Sequence, residues 1–420
     1  PSVVEEENRL SGGENFTNFD FGENAFGGQG DALSRNESRL FVAGNALFRS
    51  NWVAAPASVT SLDGIGPLFN AISCGSCHFK DGRAAPFDEF NNARPGILWR
   101  LSIPGVGPHG EPRKHPVYGG QLQDRSTPLA TPEAQIRTTY QNVTGQYADG
   151  TPYTLQKPIY DVAGLGLLES ISEADLLQHA DPDDRDGDGS SGRANRVWNV
   201  VEQQMTMGRF GWKANEPTVR QQNAGAFNGD MGLTSNIFPE DEFSSQQEQQ
   251  HPGIPNGGEP EVSDQQLDRI TLYVKALAVP AKRNTNDPQF AEGKALFAQL
   301  KCNSCHVPSF TTGTGSELAS LDGQEIFPYT DLLLHDMGED LSDGRPDFQA
   351  TGREWRTPPL WGIGLIRVVN DHTRLLHDGR ARNTEEAILW HGGEAEASRE
   401  SFKTLNKAER EALLFFLESI

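Results

Sequence analysis

The only cysteines in the chain are Cys74, Cys77, Cys302 and Cys305, and a histidine directly follows each pair: His78 and His306. Two thiols at this spacing reach the two vinyl groups of one porphyrin. The next residue then places an imidazole under the iron. C-x-x-C-H is the attachment pattern of a c-type haem, with the histidine as proximal ligand. Three other readings of paired cysteines are weaker. One zinc ion held by both pairs does not call for a histidine after each. A thioredoxin-like dithiol expects a βαβ setting that the flanking residues do not suggest. Two local disulfides would leave both histidines unexplained. Two covalent haem c groups use every thiol and leave none for thiol chemistry.

These motifs need helices to carry them. Gly44-Asn-Ala-Leu-Phe48 precedes the first and Gly293-Lys-Ala-Leu-Phe297 the second. Gln265 to Val279 reads as an amphipathic helix, with Leu267, Ile270, Val274 and Leu277 on one face and Pro280 as its stop. Leu405 to Ile420 is similar, opened by the capping pattern Asn406 to Glu409. Each haem unit thus ends in a closing helix. The expected fold is mainly α: two cytochrome c-like haem domains, 36–284 and 285–420, with long irregular connections. The first carries a large insertion. Residues 1–35 read as an extended N-terminal arm, and Ser244 to Gly258 as a polar surface loop.

Composition narrows the partners. Among 420 residues, 36 are Lys or Arg and 58 are Asp or Glu, a net charge of −22. That balance opposes nucleic-acid binding and docking on an anionic membrane. A small redox protein, as electron donor or acceptor, and a small oxidant remain as partners. No apolar run is long enough for a membrane span. The start, Pro1-Ser-Val-Val-Glu-Glu-Glu7, has no initiator Met. A cleaved secretory signal would leave such a start, and covalent haem is attached outside the cytoplasm, so a periplasmic location is expected.

The chain resembles the bacterial di-haem oxidoreductase family, a branch of the di-haem cytochrome c peroxidase superfamily. The resemblance spans most of 36–420. Its carriers are Cys74 to Pro86, Gly164 to Glu169, Asp183 to Arg193, Gly208 to Lys213, Tyr329 to Gly338, Trp355 to Trp361 and Leu376 to Gly393. In that superfamily a His-x-Gly motif follows the second haem site, and the distal ligand lies fourteen residues further on. Here His377-Asp378-Gly379 supplies the motif and His391 the ligand, so the resemblance implies His306/His391 ligation. His335 and Met337 are then neighbours of that haem. Around the first haem, the superfamily's pocket of Gln, Pro and Glu falls on Lys213, Pro217 and either Gln222 or Asn223. The pocket carboxylate, the group that would move protons, is missing. Glu169 is a possible substitute, and His109, His115 and Met231 are possible iron caps.

Asp181 to Arg193 holds five Asp in its first eight residues. Counted from Asp184, carboxylates at Asp184, Asp186 and Asp188, with Gly189 sixth, fit the first half of a calcium loop. Position twelve is Asn195 rather than Glu. Trp198, Trp212, Trp355 and Trp361 lie in family-like motifs; core packing is the default role for each, and one between the haems could relay electrons. The expected function is a peroxidase-like oxidoreductase, using peroxide or dioxygen at the N-terminal haem and electron transfer through the C-terminal one. Lys213, Gln222 and Glu169 are the catalytic candidates. The alternative is a pure electron carrier with both irons six-coordinate. A role in handling metal ions is a third reading.

Overall fold

The computed structural model describes residues 9–86, 94, 96–133, 141–157, 166–241, 243–250 and 252–420. The first eight residues of the arm, and Gly164 and Leu165 of the Gly164 to Glu169 motif, lie outside the described residues. Six helices frame the interior. They are α1 (Arg35–Arg49), α2 (Val219–Met231), α3 (Asp264–Lys275), α4 (Pro288–Gln299), α5 (Thr384–Trp390) and α6 (Lys407–Ser419).

Local chemistry sets their starts. Ser34 with Glu37, Ser263 with Gln266, and Asn406 with Glu409 form capping boxes on α1, α3 and α6. Each satisfies backbone N–H groups that would otherwise face no partner. Asp287 caps α4, with Pro288 directly after it. The helix expected to run to Val279 stops at Lys275, because Val279–Pro280 pairs in parallel with Thr17–Asn18 of the arm. The arm is sewn in further by Phe327 N–H donating to the Ser11 carbonyl, and by Phe16, which is fully buried.

α1 crosses α3, and α4 crosses α6, through equivalent glycines. A Cβ on Gly44 would lie 2.3 Å from the Arg269 carbonyl oxygen, and one on Gly293 would lie 2.0 Å from that of Ala412. The two Gly-x-x-Leu-Phe segments thus bring backbones into contact on a helix upstream of each C-x-x-C-H, close before the second and at a longer distance before the first. Gly293→Ala is expected to force the helices apart, at about 1–3 kcal/mol for overpacking. Urea unfolding of the haem-loaded protein reads this as a lower midpoint; an unchanged midpoint would refute the close crossing.

Helix makes up 31% of the described residues and strand 16%. The expectation of a mainly α chain is therefore too strong. Among the described residues the strands pair as eight separate two-stranded ladders. Most are two to four residues long, too short to show an alternating pattern in sequence. The Ser244–Gly258 segment, read as a loop, contains the short helix Ser245–Gln250.

The core divides into two clusters that do not follow chain order. One surrounds α1, α2 and α3 but also takes Val307, Phe310 and Leu333 from beyond the second C-x-x-C-H. The other surrounds α4, α5 and α6 but also takes Tyr147 and Leu155 from the insertion. Among the described residues no helix is long and apolar enough to cross a membrane.

A candidate cavity for two haems

Each C-x-x-C-H closes as one tight turn. The His78 N–H donates to the Cys74 carbonyl at 2.8 Å, and the His306 N–H to that of Cys302 at 3.0 Å. The turn holds both sulfurs and the imidazole together. All four thiols are free of disulfides. Burial pushes the Cys74 and Cys302 thiols up to about 12, so neither is poised as a nucleophilic thiolate.

Both motifs open into one cavity of about 620 Å³, lined by Cys74 and His78 at one end and by Cys302, Cys305, His306 and His391 at the other. At the second end His306 and His391 face each other with ring centres 6.5 Å apart. Metal–imidazole bonds of about 2.0–2.1 Å, plus roughly 1.1 Å from nitrogen to each ring centre, put two trans imidazoles about 6.3 Å apart. The gap suits one iron. His391 is delivered there as the residue that ends α5, a helix capped at its start by Asn383.

The second nitrogens agree. His78 Nδ1 donates to the Gly82 carbonyl at 3.3 Å, His306 Nδ1 to Tyr329 at 3.0 Å, and His391 Nδ1 to Ala387 at 2.7 Å. Each bond fixes the tautomer that leaves Nε2 free for metal. Burial lowers all three imidazoles below their ordinary value, His306 to about 4, with His391 beside it adding to the shift. They stay neutral, as ligands must.

His335 and Met337 line the same end, but His335 is not free for iron. Its Nε2 donates to Asp331 at 2.8 Å and its Nδ1 to Glu394 at 2.7 Å, while Cys305 Sγ lies 3.5 Å away. Burial works against its charge, yet Asp331 and the hydrogen bonds carry it well above the ordinary imidazole value. The result is a buried imidazolium between two carboxylates at the edge of the C-terminal site.

The N-terminal end is built differently. Among the described residues, no histidine ring pairs with His78 as His391 pairs with His306. The ring packed on His78 is Phe48, at 6.2 Å. Gln222, Asn223 and Ala226 of α2 form part of the wall, with Trp212 and Arg83. Gln222 Oε1 and Trp212 Nε1 are buried there without a hydrogen-bond partner. Orphaned polar atoms on a cavity wall fit a site made to hold a polar guest.

Of the three catalytic candidates, only Gln222 faces the cavity. The Lys213 ammonium donates to the carbonyls of Thr351 and Glu354 at 2.8 and 3.2 Å, pairs with Asp343 at 3.2 Å, and sits 3.9 Å above the Trp355 ring. Glu169 accepts from the Val219 N–H at 2.8 Å and pairs with Lys275 at 2.6 Å, which pins the start of α2 to α3. Both are positioning groups in this arrangement. The possible iron caps also lie elsewhere: His109 stacks on Trp198 at 3.8 Å, His115 Nδ1 accepts from the Val117 and Tyr118 N–H groups, and Met231 packs in the core. None of the three lines the cavity.

Sequence reasoning had no signal for the aromatic stack on the cavity wall. His377 lies flat on Trp355 at 3.7 Å and edge-on to Trp212 at 6.2 Å. All three line the cavity that joins the two ends.

The family described as "Di-haem oxidoreductase, putative peroxidase" matches residues 6–96 and 161–420. The chain belongs to the di-haem oxidoreductase family. The two-ended cavity presents Cys74 and His78 at one end and Cys302, Cys305 and His306 at the other. No curated protein matches this di-haem oxidoreductase. Among solved structures, hydrazine synthase from Kuenenia stuttgartiensis, pressurised with xenon, is similar at 12% identity over 92% of this chain and 95% of that one, with a TM-score of 0.30.

The acidic loop of the di-haem oxidoreductase touches the C-terminal site. Carboxylate oxygens of Asp184, Asp186 and Asp188 lie within 4.8 Å of one another. Ser190 Oγ is 3.6 Å from Cys305 Sγ, and Ser191 donates to Glu394 through both N–H and hydroxyl. Asn195, the twelfth position, cannot close a calcium loop. It is fully buried, donating to the Lys213 and Asp347 carbonyls and accepting from the Gln349 N–H.

Proposed function

We propose that this protein is a periplasmic di-haem c-type oxidoreductase, with covalent haems at Cys74/Cys77 and Cys302/Cys305. Peroxide is reduced at the N-terminal haem, and electrons pass through the C-terminal one from a small redox protein. The observation that carries this reading is the asymmetry of the cavity. His306 faces a second imidazole, His391, whereas His78 shares its end with a wall of Gln222, Asn223 and Trp212. An iron held between His306 and His391 would be saturated and fit for electron transfer; one held by His78 would keep a position for substrate.

When bound, haem supplies the redox chemistry. The chain's part is to bind, orient and exclude water. Gln222 and Trp212 offer one acceptor and one donor to a small polar substrate. The His377–Trp355–Trp212 stack supplies polarisable contact between the ends. Asn195 and Lys213 tie the wall behind Trp355 to the loop around Asp343 and Asp347.

Electron paramagnetic resonance of the oxidised and the half-reduced protein tests the reading. A high-spin ferric signal in either state is expected. Low-spin haem alone in both states would favour the second reading, a pure electron carrier. That reading draws support from Glu169, whose carboxylate is occupied by Lys275 and α2 rather than by the cavity. Gln222→Leu is expected to slow the reaction with peroxide by about 10–100-fold, as for loss of one oriented hydrogen-bonding group at a reacting oxygen. Stopped-flow mixing reads the rate, and an unchanged rate removes Gln222 from the site.

The acidic loop is assigned to Ca²⁺, held by Asp184, Asp186 and Asp188 with further oxygens from backbone or water. Calorimetric titration should show binding that Asp186→Asn weakens. Absence of heat in the wild type would leave the loop as solvated acid.

A further inference from the structure

Among the described residues, Tyr273 of α3 is the largest side chain that is fully buried. Its hydroxyl donates to Asp81, three residues past His78, and the other Asp81 oxygen accepts from Arg49 at 2.8 Å. Asp81 lines the cavity, with its side chain only 1% exposed. The Tyr273 ring lies 5.3 Å from Phe48, and Phe48 lies 6.2 Å from His78. A buried tyrosine bonded to a buried carboxylate thus sits one ring away from the N-terminal iron ligand.

A phenol inside a protein cannot readily lose an electron alone, because the cation left behind would be uncompensated in a low-dielectric interior. It can lose the electron if its proton leaves at the same time to an acceptor already hydrogen-bonded to it. Asp81 is such an acceptor, and Arg49 fixes its orientation.

The C-terminal end supplies a contrast. Tyr329 lies 5.8 Å from Phe297, which lies 6.4 Å from His306. Among the described residues no carboxylate accepts from its phenol, and burial alone pushes it up to about 12. The ring relay is repeated at both ends, but the carboxylate acceptor is found only at the N-terminal end.

We propose that Tyr273 is a redox-active tyrosine, serving the N-terminal haem with Asp81 as its proton acceptor. This rests on the peroxide reading above. Hydrogen peroxide is the oxidant: cleavage of its O–O bond takes up two electrons, one that the N-terminal iron would supply and one from Tyr273, and one oxygen leaves as water. Tyr273 supplies one electron equivalent towards that haem. Its O–H bond breaks, the proton moves to Asp81, and a neutral phenoxyl radical remains. An electron arriving from the C-terminal haem and the proton returning from Asp81 restore the phenol.

Freeze-quench electron paramagnetic resonance of the oxidised holoprotein mixed with hydrogen peroxide tests this. A second arm uses an aromatic peracid, whose better leaving group makes cleavage less dependent on proton movement in the pocket. A tyrosyl radical signal is expected in the wild type. It is lost in Tyr273→Phe, which keeps the ring and should leave the haem spectrum unchanged. Asp81→Asn retains an oxygen acceptor that cannot take the proton, and should lower the yield severalfold. Tyr147→Phe, which removes a second tyrosine bonded to a carboxylate, Glu385, should leave the signal intact. A signal that survives Tyr273→Phe, or vanishes in Tyr147→Phe, overturns the proposal. So does the absence of any radical with both oxidants. Haem oxidation and a Tyr273 radical with peracid, but no reaction with hydrogen peroxide, would sink the peroxide reading and leave the tyrosine assignment standing.

Discussion

Replacement of His391 by methionine is expected to raise the midpoint potential of the C-terminal haem by on the order of 0.1 V, within the roughly 0.8 V range that axial ligation covers. A thioether is a weaker donor to ferric iron than an imidazole, so losing the second imidazole destabilises the oxidised state. The 6.5 Å facing of His306 and His391 is the observation behind the proposal that these two would hold the iron. The Nδ1 bond from His391 to Ala387, one helical turn back, holds the ring in place. His391→Gly should go further and open the iron, giving a high-spin signal that added imidazole converts back to low spin. Spectroelectrochemistry of the two variants measures both effects. A C-terminal haem whose potential and spin state ignore His391 would remove it from the coordination sphere. The N-terminal haem acts as the internal control.

The second large effect is expected at His335. Its imidazolium neutralises Asp331, which is fully buried, and Glu394. His335→Leu leaves the buried Asp331 and the half-buried Glu394 without their shared cation, and breaking such a pair from one side costs about 3–5 kcal/mol. Chemical unfolding of the loaded protein should show the loss, and Glu394→Gln in the same background should recover part of it by removing one charge. No recovery would mean that packing, not charge, is what His335 provides.

The same cluster sets a pH window for stability. His335 is raised in the fold, so its contribution is complete below the unfolded imidazole value of about 6.5 and declines as pH climbs through the folded one. Glu394 is brought down to about 2: burial opposes this, but its bonds from His335 and Ser191 prevail. Its contribution is present above the unfolded value of about 4.3 and is lost as pH falls towards 2. The cluster is therefore at full strength between about pH 4.3 and 6.5, and the His335→Leu penalty should be greatest there.

Much of the site is contiguous in the chain. Cys74, Cys77 and His78 sit on one turn, as do Cys302, Cys305 and His306, because a porphyrin edge and its iron lie within reach of five residues. His391 was identifiable through the family-like His-x-Gly register, and it faces His306 across a gap suited to iron. The capping boxes of α1, α3 and α6 are equally local. Lys213 shows the limit of register alone. Its place along the chain suggests the pocket, but Thr351, Glu354 and Asp343 hold its ammonium away from it. A register places a Cα; it does not say which distant acceptors a long flexible side chain will meet.

The residue order alone therefore pointed to the two haem motifs, to a candidate ligand pair for one iron and to the helices that carry them, since each depends on spacing within a turn or a helix face. Tertiary structure decided the rest. It placed both motifs on one cavity, set no histidine ring against His78 among the described residues, stacked His377 on Trp355, enclosed His335 between Asp331 and Glu394, and set Tyr273 on Asp81. Those last two side chains are 192 positions apart. Such partners share no local pattern, because what joins them is the crossing of α1 on α3 at Gly44. Chain contacts of that range are settled only when the core closes.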